Sequence, residues 1–183
     1  MRKVILILIL ILYLCTELFA EETQEGKFGF SIEYMSTKDY STVLGANFYL
    51  VEANTIGGYT NILASMGKEY KKYDDLDEYS FGDPVTGEFK ELLMVNIGAT
   101  RKIIKGIEIY FGLGYAMSSA YFIKYDSYHI LSDNGEYAVP NHGKSKAGLN
   151  LNPGLLLYYK TIGIEVSYHS FTKSPAIGLG FVF

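Results

Sequence analysis

The residues that most constrain the fold are 175–183, Pro-Ala-Ile-Gly-Leu-Gly-Phe-Val-Phe. Successive side chains of an extended strand point to opposite faces. Ile177, Leu179, Phe181 and Phe183 therefore share one face, and Ala176, Gly178, Gly180 and Val182 share the other. The first face is bulky and wholly apolar; the second is nearly flat. Such a strand needs apolar surroundings on one side and a hydrogen-bonded neighbour along each edge. A closed barrel in a bilayer supplies both, because lipid covers the face and closure removes the edge.

The amino-terminal residues carry a second expectation. Met1, Arg2 and Lys3 form a positive start, Val4 to Leu14 is an apolar run of 11 residues, and Leu18-Phe19-Ala20 precedes Glu21 and Glu22. That order is the layout of a secretory signal peptide. Residues 1–20 are read as that peptide, cleaved after Ala20, and residues 21–183 as one barrel domain. The run falls short of the roughly 20 residues a membrane-spanning helix needs. A lipid-attachment motif requires a small residue before its cysteine; Leu14 precedes Cys15, so Cys15 is assigned to the leader. The remaining chain then has no cysteine, and neither a disulfide nor a cysteine-ligated metal is expected. Removing Arg2, Lys3 and Glu17 from the 16 basic and 20 acidic residues leaves 14 and 19, a net charge of −5. That sign argues against nucleic acid as a partner. The 17 Tyr and 11 Phe suit the aromatic girdles of a membrane barrel, and equally a soluble β-sandwich.

Eight segments show the alternation of lipid-spanning strands, which run about 9–11 residues. Residues 27–35 oppose Phe28, Phe30, Ile32 and Tyr34 to Gly29, Ser31 and Glu33. Residues 42–52 oppose Leu44, Ala46, Phe48 and Leu50 to Gly45, Asn47 and Tyr49. Residues 55–63 leave the register open, since Gly57 and Gly58 interrupt the pattern. Residues 91–100 oppose Leu93, Val95, Ile97 and Ala99 to Asn96 and Gly98. The cleanest alternation starts at Ile107, with Ile109, Phe111, Leu113, Tyr115 and Met117 outward, and runs on towards Tyr125. Residues 144–159 oppose Leu149, Leu151, Leu155 and Leu157 to Gly148, Asn150, Asn152 and Gly154. Pro153 lies inside that segment, has no N–H for a ladder, and predicts a bulge. Residues 162–169 oppose Ile164, Val166 and Tyr168 to Gly163, Glu165, Ser167 and His169, and the terminal strand is the eighth.

Connection lengths set the topology. Short turns follow the second, fourth and sixth segments, at 53–54, 101–106 and 160–161. Long polar stretches at 66–90 and 126–143 follow the third and fifth. Short turns on one side and longer loops on the other are the outer-membrane arrangement. With this pattern the chain resembles the small eight-stranded outer-membrane barrels, of the outer-membrane protein A transmembrane-domain and outer-membrane protein X type. The resemblance covers residues 21–183 and rests on signal peptide, strand count, loop asymmetry and aromatic terminus. It implies an all-β, antiparallel up-and-down transmembrane barrel in the bacterial outer membrane, with a packed lumen and no wide channel. Its surroundings would be outer-membrane lipid, and its C-terminal strand would be read by the barrel assembly machinery.

Glu33, Glu108 and Glu165 read as lumen-facing and, with His169, Asn150 and Asn152, form a candidate polar cluster. An enclosed carboxylate must stay solvated, find a cation or change protonation. Arg101, Lys144, Lys146 and His169 are possible partners. The cluster reads as a proton or ion path, as an acid–base set, or as a polar plug; barrel interiors are polar by default, which favours the plug. His169-Ser170 invites comparison with lipid A deacylases, which use His and Ser near the last strands of this fold. There one residue separates the pair; here they are adjacent and face opposite sides. His129 and His142, with Asp126 and Asp133, are scattered along a loop, so no metal and no cofactor are expected.

Tyr70, Lys71, Lys72, Tyr73 and Tyr79 in the first long loop, and Tyr128 in the second, are candidate contacts for an extracellular partner. Tyrosine gives rigid, amphipathic contact area at low entropic cost. The leading reading is a non-enzymatic outer-membrane barrel with a structural or partner-binding role. A narrow transport channel for small or hydrophobic solutes, and a lipid-modifying enzyme, are the alternatives.

Overall fold

The alternating segments close into a ring. The computed structural model describes residues 27–40, 42–51, 56–76 and 80–183. Ten strands follow in chain order: β1 (Lys27–Ser36), β2 (Thr42–Val51), β3 (Ile56–Met66), β4 (Lys71–Lys72), β5 (Val85–Ile104), β6 (Ile107–Tyr125), β7 (Glu136–Pro140), β8 (Lys146–Tyr159), β9 (Ile162–His169) and β10 (Ser174–Val182). All but β4 and β7 pair antiparallel around the circuit β1–β2–β3–β5–β6–β8–β9–β10, and β10 returns to β1. Each of these eight strands has a partner on both edges, the one way a sheet satisfies its N–H and C=O groups in hydrocarbon. The last strand is fastened at its end: Phe183 donates its N–H to the Phe28 carbonyl at 2.8 Å, and Phe28 donates back at 3.2 Å.

Polarity is inverted relative to a water-soluble protein. The outward positions Ile32, Ile97, Phe111, Leu113, Val166 and Leu179 are exposed, while the inward Glu33, Asn47, Asn61, Asn96, Asn152 and Glu165 are fully buried. Outward apolar residues continue around the ring, a surface far larger than the patches water-soluble monomers tolerate. Lipid is the solvent such a belt fits, and a lipocalin-like barrel with a polar outer face is excluded. Phe48 points outward yet is covered, because the rings of Phe28 and Phe30 lie 6.3 and 5.3 Å from its own.

Several boundaries differ from the sequence expectation. β3 alternates without interruption, with Gly57, Tyr59, Asn61 and Leu63 inward. Gly57 keeps the register because the chains close in there: a Cβ would meet the Leu50 carbonyl at 1.8 Å. β5 spans 20 residues instead of 91–100. Its early part pairs with the far end of β6, from Val85↔Lys124 to Lys90↔Ala120. A strand above the bilayer needs no apolar outer face, so this stretch looked like loop. For the same reason the two long loops hold strands: β7 pairs antiparallel with β6, and β4 pairs parallel with β7.

The bulge expected at Pro153 does not form. β6 and β8 keep one register through Phe111↔Pro153. The β8–β9 ladder stops at Gly154↔Ser167, yet Leu151 and Ser170 still face each other in the same register. Ser170 N–H donates to the Leu151 carbonyl at 3.0 Å, and Leu151 N–H donates to Ser170 Oγ at 2.8 Å. Proline removes a rung without inserting a residue, and Asn152 Nδ2 donates to the Tyr168 carbonyl at 3.4 Å where that rung is missing.

The turns at Lys105-Gly106 and Lys160-Thr161 lie at the end that holds Lys27 and Phe183. The described connecting residues 37–40, 67–76, 80–84, 126–145 and 170–173 lie at the other. Since β5 and β6 are about twice as long as a spanning strand requires, their hairpin rises past the belt on the loop side. There β5, β6, β7 and β4 form one protruding sheet.

The barrel reading makes a quantitative demand on the belt. Leu113→Arg should cost about 2–4 kcal/mol in urea titrations of the protein folded into lipid vesicles. Tyr128→Arg, on an exposed turn above the belt, should stay within about 0.5 kcal/mol of wild type. Equal costs at both positions would contradict the placement of the belt.

Candidate functional site

Inward side chains sort into three layers. At the loop end, Met35, Val43, Leu63, Leu92, Met94, Ala116 and Ala176 pack together, covered by Tyr40 and Phe171 from the connections. At the turn end, Tyr49, Val51, Tyr59, Tyr110, Leu156 and Val182 pack with Tyr158. The Tyr59 ring lies 5.4 Å from that of Tyr49 and 4.4 Å from that of Tyr110, centroid to centroid. Between these apolar layers lies a band of polar side chains.

The band follows the register. Asn47↔Asn61, Asn61↔Asn96, Asn96↔Gly114 and Gly114↔Asn150 are opposed in successive strand pairs. Their amides form a relay: Asn150 Nδ2 donates to Asn96 Oδ1 at 2.9 Å, Asn96 Nδ2 to Asn61 Oδ1 at 2.7 Å, and Asn61 Nδ2 to Asn47 Oδ1. Gly114 lets this relay cross β6, because a Cβ there would meet Asn96 Oδ1 at 2.4 Å. The relay ends on two carboxylates. Glu33 accepts from Asn61 Nδ2 at 2.9 Å, from Asn47 Nδ2 at 3.2 Å and from Ser167 Oγ, and pairs with His169 Nε2 at 3.1 Å. Glu165 accepts from Ser31 Oγ at 2.5 Å, from Asn47 Nδ2 at 2.6 Å and from the Tyr110 hydroxyl. Asn150 and Asn152 amides reach His169 Nδ1 at 3.2 and 3.4 Å.

Five of the six lumen residues singled out from sequence therefore meet: Glu33, Glu165, His169, Asn150 and Asn152. Glu108 does not. It is buried nearer the turn end, opposite Lys102 and Leu156, where its carboxylate faces Tyr158, Lys102 and Lys27 without a hydrogen bond of good geometry. Two of the possible cationic partners are elsewhere: Lys144 binds Glu88 at 2.6 Å, and Lys146 lies over the Phe171 ring. Asn47, Asn61, Asn96, Ser31 and Ser167 complete the network and were absent from the sequence-derived set. Alternation already faced Ser31, Asn47, Asn96 and Ser167 inward, and the open register of β3 hid Asn61, which links them.

The network has the parts of a hydrolase but not the arrangement. Ser167 Oγ lies 3.3 Å from His169 Nε2, and Glu33 meets that same nitrogen. A relay needs serine and carboxylate on opposite imidazole nitrogens. Ser170 is engaged outside the network, by Leu151. Glu33, Asn47, Asn61, Asn96, Glu165 and His169 are also fully buried.

Outside the belt, the sheet has two differently built faces. On one, Tyr70 stacks on Phe89 at 4.9 Å and Phe89 on Tyr121 at 5.0 Å; Lys68 and Lys72 lie over Tyr70 and Tyr121. Lys72 pairs with Glu91 at 2.5 Å and Lys68 with Glu136. On the other, Lys71 lies over Tyr73, whose ring meets Tyr137 edge-on at 5.9 Å. The Tyr73 hydroxyl donates to the Leu131 carbonyl at 2.6 Å, and Tyr137 donates to Asp83 at 2.8 Å, joining the two loops. Tyr79 lies outside the described residues. Tyr128 stands clear of the sheet, 83% exposed. His129 contacts the Tyr125 hydroxyl at 3.3 Å and the Asp133 carbonyl at 3.1 Å.

The turn that carries Tyr128 is built on Asp126. Its Oδ1 accepts Tyr128 N–H at 2.8 Å, and its Oδ2 accepts Ile130 and Leu131 N–H at 2.6 and 2.9 Å. These bonds, that from Leu131 foremost, hold the Asp126 carboxyl below its ordinary range.

The solved structures that share this fold include two of one protein. One is the attachment invasion locus protein Ail of Yersinia pestis in complex with the heparin analogue sucrose octasulfate, at 16% identity and TM-score 0.52, covering 87% of this chain and 100% of that one. The other is the Yersinia pestis outer membrane protein Ail in a phospholipid bilayer nanodisc, at 18% identity and TM-score 0.53, with the same coverage. No protein-family model matches the chain, and no curated protein matches it. The chain thus has the fold of the small eight-stranded outer-membrane barrels.

Two outcomes follow from the site. Asn47→Ala removes a donor shared by both buried carboxylates and should destabilise the barrel by about 1–3 kcal/mol, read as a lower urea midpoint in vesicles. The Asp126 turn should respond to acid. Its folded pKa is depressed, so its stabilising effect is complete above the ordinary aspartate value of about 3.9 and lost as pH falls through the folded one. Amide exchange at Tyr128, Ile130 and Leu131, corrected for intrinsic rates, should lose protection in that acid window and stay flat above it.

Proposed function

We propose that the protein is a non-enzymatic barrel of the bacterial outer membrane that presents its protruding sheet and tip loops to a partner outside the cell. The observation that carries this reading is the β5–β6 hairpin, continued past the belt and braced by β7, β4 and the Tyr73–Tyr137 contact. An envelope protein needing only to span the bilayer has no use for a second ordered sheet above it. Outer-membrane lipid would surround the belt, and the barrel assembly machinery would read the terminal strand. The filled lumen argues against a transport channel, and the shared His169 nitrogen argues against the lipid-modifying alternative.

The known Ail complex holds a polysulfated ligand. Here four lysines on the loop side are matched by carboxylates: Lys68 by Glu136, Lys72 by Glu91, Lys90 by Asp39 and Lys144 by Glu88. This pairing favours a protein partner over a polyanion.

Two measurements test the proposal. Cells displaying the protein should adhere to epithelial monolayers several-fold better than cells displaying a variant with residues 67–84 and 126–135 replaced by short Gly-Ser linkers. Both proteins must show the heat-dependent gel shift of a folded barrel; equal adhesion by folded proteins would refute partner presentation. In planar bilayers the purified protein should give no conductance above the bare membrane, and stepwise ion currents would reinstate the channel.

A further inference from the structure

Resting on that reading, we infer that the tip of the protruding sheet docks a basic protein surface, with Tyr128 and Ile130 as its anchors. Tyr128 is 83% exposed and Ile130 79%. Outward residues as exposed as Leu149 lie on the lipid belt; these two lie beyond it, where no lipid covers them. Water-exposed apolar side chains of this size are costly unless something binds them.

The tip is ordered before any partner arrives. Asp126 fixes the backbone at Tyr128, Ile130 and Leu131 through three N–H bonds. Its own N–H donates to the Gly135 carbonyl at 2.8 Å, and Gly135 N–H donates to Ser132 at 3.0 Å. Tyr73 braces the turn from the neighbouring loop through the Leu131 carbonyl. A turn fixed in this way keeps both side chains pointing outward. Rigid anchors lose little entropy on binding, the property that makes a few aromatic and aliphatic residues dominate interfaces.

Charge selects the partner. Segments 68–76 and 126–136 hold Glu69, Asp74, Asp75, Asp126, Asp133 and Glu136 against Lys68, Lys71 and Lys72, a net charge of −3. Beside the turn, Glu69, Asp133 and Glu136 outnumber Lys71 around a cavity of about 290 Å³, and with Glu136 engaged by Lys68 the acidic groups left to receive a lysine or arginine side chain are Glu69 and Asp133. The complement is an apolar pocket rimmed by Lys and Arg, since matched potentials guide encounter and exclude like-charged surfaces.

The test uses the protein in nanodiscs of zwitterionic phosphatidylcholine and a fluorescent peptide of alternating Leu and Lys. Alternating Leu-Glu and Gly-Lys peptides are the comparisons, and binding is read by anisotropy against empty discs. Leu-Lys should bind at least about tenfold tighter than either comparison. The doubly substituted Tyr128→Ser/Ile130→Ser protein should weaken Leu-Lys binding by about tenfold or more, as expected for central anchors. Asp126→Asn should weaken it too, with faster amide exchange over residues 128–131. Equal binding of Leu-Glu would overturn the charge argument, and unchanged binding by the double variant would overturn the anchors. If the double variant still supports adhesion while the loop-replaced protein does not, this inference fails and the partner-presenting role stands. If loop replacement leaves adhesion intact, that role falls.

Discussion

Everything in this molecule depends on one demand: a backbone crossing hydrocarbon must satisfy its N–H and C=O groups within the protein. A sheet meets the demand only by closing on itself. Closure at eight strands leaves an interior just wide enough for side chains. The interior composition follows from that width. Tyr59, Tyr110 and Glu165 project into it, and Gly112, Gly154 and Gly178 stand where a Cβ would strike them. The carboxylates survive there because every oxygen that enters the band is met by an amide, hydroxyl or imidazole on another strand. The polar band therefore couples β1, β2, β3, β5, β8 and β9 across the lumen, in addition to their ladder contacts along its wall.

Much of the barrel was legible in the sequence because the bilayer imposes a strict rule on each residue it touches. Phe28, Phe30, Ile32 and Tyr34 alternate with Gly29, Ser31 and Glu33, and each group lies on the face the alternation assigns. Where the rule stops, legibility stops. Residues 85–90 and 136–140 are strands without an apolar outer face, and their composition resembles loop. Pro153 shows a different limit. Proline reports a missing donor, but whether the chain answers with a bulge or with a borrowed amide depends on the neighbouring strand, here on Asn152 reaching Tyr168.

The candidate site divides in the same way. Alternation says that a residue faces the lumen but not at what height. Glu33 and Glu165 meet across the flat Gly178 of β10, while Glu108, equally inward, lies far enough towards the turn end to join Tyr158 and Lys102 instead. The surface tyrosines and lysines suffered a related loss. Tyr70 and Lys72 were grouped with Lys71 and Tyr73 because they are consecutive, yet β4 is extended, so neighbours in sequence serve opposite faces of the sheet.

The two regions also differ in what they ask of their residues. In the polar band each oxygen of Glu33 and Glu165 is met by a donor on another strand. Above the belt, Tyr70, Phe89, Tyr121, Tyr73 and Tyr137 are engaged in holding the sheet together, which leaves them poorly suited as free contacts. Tyr128 has no ring partner among the described residues, and its backbone is held by a carboxylate that faces inward for that purpose. A buried aspartate thus fixes the backbone beneath two exposed side chains, Tyr128 and Ile130. The filled barrel beneath it is a rigid footing, since its strands are cross-linked through the lumen as well as along the wall.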